Sequence, residues 1–150
     1  MSFITLEQLR ESRGPLLGID PGTKTFGLAV SDTSRMIATP VETIRRKKFT
    51  PDAAKIFALY DERKCAAIIL GYPLNMDGSE GPRCQSVKDF AANLCALRDV
   101  PIMLWDERLS TAAVTHAMLE ADMSRSKRAQ NVDKLAASYI LQGVLDRLKV

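Results

Sequence analysis

Histidine is nearly absent from this chain of 150 residues, and the single copy, His116, falls inside a helical pattern running from 110 to 121. Such a place favours a solvated or packed ring over catalysis, so a histidine-based triad or a zinc enzyme is poorly supported. Cysteine is scarce too. Cys65, Cys84 and Cys95 are odd in number and lack the close pairing of a zinc knuckle or redox motif, which predicts free thiols in a reducing compartment. Long apolar runs are missing: the run from Ala66 to Leu70 is far short of the ~20 residues that cross a bilayer. The start MSFITLEQLRESRGP has no basic-then-apolar signal architecture, so a cytoplasmic protein without a membrane partner is expected. Aromatic residues make up only 6%, and few accompany the basic clusters, which argues against a stacking platform for single strands.

What is present is the composition of an ordinary globular domain, with 46% hydrophobic and 26% charged residues. The length predicts one domain over 1–150, with 1–15 as an N-terminal extension. Twenty-one basic against 18 acidic residues leave +3, which permits a polyanionic partner without requiring one.

Thr5 with Gln8 three residues on forms a possible capping box for a short opening helix carrying Leu6 and Leu9, placed as a lid over the core. From Leu16 the pattern turns strand-like: LLGID, a turn PGTKTFG, LAVSD and then MIATPVETI, which together predict an antiparallel meander. A helix over 51–64, a buried strand at 66–70, a helix ending near Leu97 and a second buried strand over 101–105 follow. Two more helices, 110–121 and 132–148, close the chain. The order predicts an α/β protein with a mixed five-stranded sheet flanked by helices.

Acidic residues fall where an open α/β sheet places its site. Asp20 closes the first strand, Asp106 and Glu107 lie just past the last, and Asp133 stands near the start of the last helix. Alternation directs Asp106 and Glu107 to opposite faces, so only one can join Asp20, and alternation does not say which. Asp133 heads the row Ala137, Ile140 and Val144, which must face protein, while Lys134, Ser138, Gln142, Asp146 and Lys149 form a polar stripe. Carboxylates gathered against protein repel one another unless a cation neutralises them. An all-acid site without His or Cys suits Mg²⁺ or Mn²⁺ and a phosphate substrate.

The strings GIDPGTKTFGLAVSD, GYPLNMDGSEGP, DERLST and NVDKLAASYIL resemble, in this order and spacing, the YqgF (RuvX) family of Holliday junction resolvases and pre-16S rRNA nucleases. The resemblance covers the chain from about Leu16 to about Leu145. It implies an RNase H-like fold and a metal-dependent nuclease whose catalytic and metal-binding acids are Asp20, Glu107 and Asp133, with Asp106 a neighbour only. One departure stands out: related resolvases carry an acid after the fourth strand, whereas here Leu70-Gly71-Tyr72 follows and the next acid is Asp77. With the usual strand order, Glu107 then starts two strands from Asp20, roughly 9 to 10 Å away.

On this reading one or two metal ions activate water for in-line hydrolysis of a phosphodiester. Gly22 and Gly27 let the first hairpin turn tightly, and Lys24 lies within reach of a phosphate. Arg108 pairs with Asp106 or with substrate, and Asn75 lies with Gly71, Pro73 and Gly78 in a loop before a helix. Two basic clusters, 45–48 and Arg125, Lys127 and Arg128, offer counterion release, the second from a loop over 123–130. The expected substrate is precursor rRNA at its 5′ end, with branched DNA as the alternative and a monomer or a homodimer as the assembly. Two rival classes are an actin-like ATPase, disfavoured by the lack of a second glycine-rich phosphate loop, and a non-catalytic ribosome-assembly or transcription factor.

Overall fold

The computed structural model describes residues 3–75, 77–109 and 125–149, with the side chains of 109 and 125–133 excepted. The expected helix over 110–121, and His116 with it, lies outside the described residues.

The opening helix α1, Leu6–Glu11, carries the capping box anticipated from Thr5 and Gln8. The Gln8 amide donates to Thr5 Oγ1 at 3.2 Å and the Thr5 amide to Gln8 Oε1 at 2.9 Å. Five strands follow as β1 (Leu16–Pro21), β2 (Thr25–Ser31), β3 (Ala38–Arg45), β4 (Ala67–Tyr72) and β5 (Ile102–Asp106). Helix α2, Phe49–Glu62, precedes β4, and α3, Pro82–Leu97, precedes β5 with Pro82 in its first turn. A turn of 3-10 helix, Glu107–Leu109, ends β5, and α4 spans Arg125–Leu148.

The sheet order is β3-β2-β1-β4-β5. β1 to β3 form the expected antiparallel meander, while β4 runs parallel to both β1 and β5. The two central strands, β1 and β4, are buried along their whole length, which is why they read as continuous rather than alternating apolar runs. Alternation divides their side chains between two cores. Leu17, Ile19, Ile68 and Leu70 face α2 and α3, whereas Leu16, Ala67 and Ile69 face α1 and α4. Leu9 of α1 is fully buried in the second core, so the N-terminal helix packs as expected. Edge strand β3 is half-exposed, carries Pro40 and pairs with β2 across a register shift at Leu28/Ala29.

Gly18 sets how closely α4 approaches the sheet. A Cβ there would lie 2.9 Å from the Leu141 Cβ and 3.3 Å from the Ala137 carbonyl oxygen. The polar stripe expected on α4 is not all solvent-facing. Ser138 is buried with its hydroxyl donating to the Leu135 carbonyl at 2.6 Å, and Gln142 clamps β3 by accepting from the Ala38 amide and donating to the Met36 carbonyl. Their polarity serves local and helix-to-hairpin hydrogen bonds.

Helix α4 also begins earlier than its apolar periodicity predicts, at Arg125 rather than 132. The added turns, RSKRAQN, have no apolar period but are rich in good helix formers. Arg125, Lys127 and Arg128 therefore stand on helix, not in the expected loop.

Replacing Gly18 by Val should force α4 off the sheet and cost about 1 to 3 kcal/mol. Urea unfolding should show a lower midpoint with an unchanged slope.

Candidate active site

Asp20 lies one residue from the end of β1 and is 8% exposed. It shares its face with Gly18, two residues earlier, and so looks toward the α4 side of the sheet. Across the ladder its antiparallel partner is Gly27 on β2. On the other side Ile19 pairs with Leu70, which brings Gly71 level with Asp20 on the neighbouring strand. The buried acid is thus flanked by a glycine on each side. Gly27 belongs to β2 and not to the turn, contrary to expectation, and Gly71 belongs to β4 and not to the loop after it.

The role of Gly71 follows from what would meet a side chain there. A Cβ would come within 2.7 Å of Glu107 Oε1 and 2.9 Å of the Ile140 Cδ1. The Glu107 carboxylate leaves β5 and folds back over β4 through the space that Gly71 leaves open. That crossing removes about one strand spacing, ~4.8 Å, from the two-strand gap to Asp20. Asp106 is engaged otherwise. It takes a forked ion pair from Arg108, 3.1 Å from Nε and 2.8 Å from Nη2, and also accepts from the Arg108 amide at 2.9 Å. The side-chain hydrogen bonds from Arg108 outweigh desolvation and hold the Asp106 carboxyl below its ordinary range.

Asp133 lies on α4 one turn before Ala137, on the row whose later members Ala137, Ile140 and Val144 are fully buried against the sheet. Its side chain is outside the described residues. From the contact between Ala137 and Gly18, four helical residues carry the chain back about 6 Å to Asp133, and two strand residues carry β1 about 6.6 Å on to Asp20. The C-terminal end of α4 packs by Arg10, whose Nη2 donates to the Arg147 carbonyl at 3.1 Å, so the helix runs antiparallel to β1. Both steps therefore lead toward the same end of the sheet. Trp105 shares the row of Asp20 and Gly71, pairs with Gly71, is 7% exposed, and has an indole N–H without a hydrogen-bond partner among the described residues. The sequence reading passed over Trp105, since nothing local in IMLWD sets it apart from core.

Lys24 is exposed in the β1-β2 hairpin. Arg46 and Arg83 brace that hairpin by donating to the Gly22 and Pro21 carbonyls at 2.7 and 2.6 Å, and Arg46 also stacks on Phe26. One member of the first basic cluster is thereby committed to structure. Asn75 closes the loop after β4, its backbone amide donating to the Ser79 carbonyl at 3.0 Å, its carbonyl accepting from the Gly78 amide at 2.8 Å and its side-chain nitrogen donating to the Ser79 hydroxyl at 3.0 Å. Gly78, with φ +89, sits beneath Arg108, whose Nη1 lies 3.3 Å from where its Cβ would be. Tyr72 donates to Glu80 at 2.6 Å, and Glu80 pairs with Lys88 at 3.0 Å, which fixes the other end of the loop. Cys65, Cys84 and Cys95 are free thiols, and burial pushes the Cys65 thiol up to about 11.

A mixed sheet in this order, with acids at the carboxyl end of its first and last strands, defines an RNase H-like nuclease fold. Thermus thermophilus RuvC in complex with a Holliday junction substrate superposes with a TM-score of 0.56 at 13% identity, covering 91% of this chain and 97% of that one. The model of the RuvX family, described as Holliday junction resolvase, matches residues 14–147, and the chain belongs to that family of nucleases. Among its relatives, a protein of Paramagnetospirillum magneticum is 63% identical over 131 residues, 87% of this chain and 84% of that protein. Another, from Ruegeria pomeroyi, is 55% identical over 148 residues, 97% of this chain and 96% of the relative. Both bear the name "Putative pre-16S rRNA nuclease".

The Asp106 to Arg108 pair carries a pH signature. Because the folded-state value of Asp106 is lowered, its contribution is complete above the ordinary Asp value near 3.9 and is lost as the pH falls through the lowered one. Asp106→Asn should be about 1 to 2 kcal/mol less stable than wild type at pH 7, with the gap closing below about pH 4. Urea midpoints measured across that range test this.

Proposed function

We propose that this chain is a metal-dependent endonuclease that matures the 5′ end of pre-16S rRNA, with Asp20, Glu107 and Asp133 as its catalytic and metal-binding acids. The observation that carries the reading is the passage of the Glu107 carboxylate over Gly71 toward the strand of Asp20. A side chain at 71 would meet that carboxylate, so the glycine leaves β4 open where the acid crosses it.

The donor set fits a hard divalent ion, Mg²⁺ or Mn²⁺, because it consists of carboxylate oxygens from separate elements with no sulfur or imidazole among them. When bound, such an ion lowers the pKa of a coordinated water and stabilises charge on the leaving oxygen. The chain's own part is positional. Asp20 is fixed by the ladder of the two central strands, Glu107 by the end of β5 and the space over Gly71, and Asp133 by the packing of α4 on Gly18. Burial of Asp20 keeps bulk water away and strengthens every charge interaction near it.

Lys24 at the hairpin tip and the cluster Arg125, Lys127 and Arg128 on the first turns of α4 are the proposed backbone contacts. Asn75 and Arg108 act on substrate through the loop they hold together. Trimming an RNA end needs one such site, so a monomer suffices, and no helix among the described residues is long and apolar enough to cross a membrane, in keeping with a cytoplasmic place of work. The names of the relatives favour RNA. The family description and the RuvC likeness support a second reading, resolution of four-way DNA, which would need two sites in a dimer.

Purified protein should cut a pre-16S 5′ segment in Mg²⁺ or Mn²⁺, and Asp20→Asn should lose more than about a hundredfold in rate while still binding the RNA. Cleavage of a synthetic four-way junction in preference to the RNA would establish the second reading, and binding without cleavage of either would establish a non-enzymatic factor. Gly71→Ala, which displaces the Glu107 carboxylate, should lower kcat by about a hundredfold with little change in KM.

A further inference from the structure

At the opposite end of the sheet from Asp20, a groove of about 450 Å³ opens between the segment before β1, the β2-β3 hairpin and the C-terminal end of α4. It lies about 20 Å from Asp20, the length of strand from Gly14 onward. Among the described residues four cations line it, Arg10, Arg13, Arg35 and Lys149, and no carboxylate does. Glu7 and Asp146, which pair with Arg10 and Lys149, are 76% and 65% exposed and stand outside the lining.

Arg35 is placed in the groove with some care. Its backbone is left-handed, φ 57, a conformation that residues other than glycine seldom adopt. Asp32 Oδ1 holds the turn by accepting from the Met36 and Ile37 amides at 2.7 and 3.0 Å. The guanidinium then donates to the Gly14 carbonyl at 2.7 Å, the Leu9 carbonyl at 2.8 Å and the Ser12 hydroxyl at 2.9 Å. All three acceptors are neutral, so among the described residues the charge is oriented but not compensated, and two of its five N–H donors are left over. Burial and the neighbouring charge of Arg13 both work against the protonated form. An anion between the two guanidiniums would relieve that repulsion. The rest of the lining is mixed: Ser12, Thr33 and Ser34 bring hydroxyls, and Met36, half of whose surface is exposed, forms an apolar wall with Leu148 over the buried Leu145.

We propose that this groove is a nucleoside-phosphate site, distinct from the acidic site, in which Arg13, Arg35 and Lys149 hold the phosphate and the wall of Met36 and Leu148 takes the base. The volume is that of a small-ligand pocket. Guanidinium forks suit phosphate oxygens, and the apolar wall adjoining the cations favours a nucleoside over bare inorganic phosphate. The nucleotide can come free or as part of an RNA strand. This inference stands apart from the nuclease reading, because it concerns binding at the far end of the sheet.

The test is calorimetric titration of the full chain at low salt without divalent metal, using AMP, inorganic phosphate and a ten-nucleotide RNA. AMP should bind one to one, at least tenfold more tightly than phosphate, and the double variant R13A/K149A should weaken it at least tenfold. Met36→Ala should weaken AMP while leaving phosphate unchanged, and Asp20→Asn should alter neither. If RNA binds and AMP does not, with the same tenfold loss in R13A/K149A, the site serves the strand and not a free nucleotide. Unchanged AMP and RNA affinities in R13A/K149A, or no binding of either ligand, overturn the proposal. Circular dichroism of R13A/K149A and of the Met36 variant, whose altered side chains are exposed or half-exposed, confirms that any loss is not unfolding.

Discussion

The close seating of α4 on the sheet at Gly18 is the contact on which the remaining geometry rests. Leu141 and Ala137 can approach β1 only because Gly18 has no side chain, and that approach sets the level of everything along both elements. Following the helix back from Ala137 and the strand on from Gly18 leads to Asp133 and Asp20 at one end of the sheet. Following them the other way leads to Leu145, Leu148 and the basic groove. The spacing between backbones at a single glycine therefore organises both ends of the molecule.

Glycines do similar work around the acids. Gly27 and Gly71 flank Asp20 on its two neighbouring strands, and Gly71 gives the Glu107 carboxylate its path over β4. Glycine inside a strand weakens it through lost packing and greater unfolded-state freedom. Here that cost falls beside the carboxylates, where a side chain of any size would fill the recess.

Much of this was legible in the order of residues. The meander, the two buried parallel strands, the capping box at Thr5 and the mixed five-stranded sheet all follow from short-range pattern, because period-2 and period-3.6 burial are local properties. The choice of Glu107 over Asp106 came only with the family resemblance; in the structure Asp106 is engaged by Arg108 while Glu107 crosses Gly71. That crossing was illegible because it depends on what the adjacent strand lacks, which is a matter of register between β4 and β5. The first turns of α4 were missed for a different reason: RSKRAQN offers helix propensity but no apolar face to reveal it. Arginine was hard to read from sequence. Arg46 reads as one of a basic cluster, yet it donates to a backbone carbonyl of a neighbouring turn, as do Arg83 and Arg35, which carry no local signal.

Edge strand β3 bears on the company the molecule keeps. Its pairing with β2 is interrupted by a register shift, Pro40 removes one amide from its outer row, and Glu42 and Arg45 put charge along it. Such an edge is a poor template for another strand, so copies of this chain at high concentration are protected from continuous sheet formation. A dimer suited to a symmetric substrate would then have to be built without extending the sheet through β3.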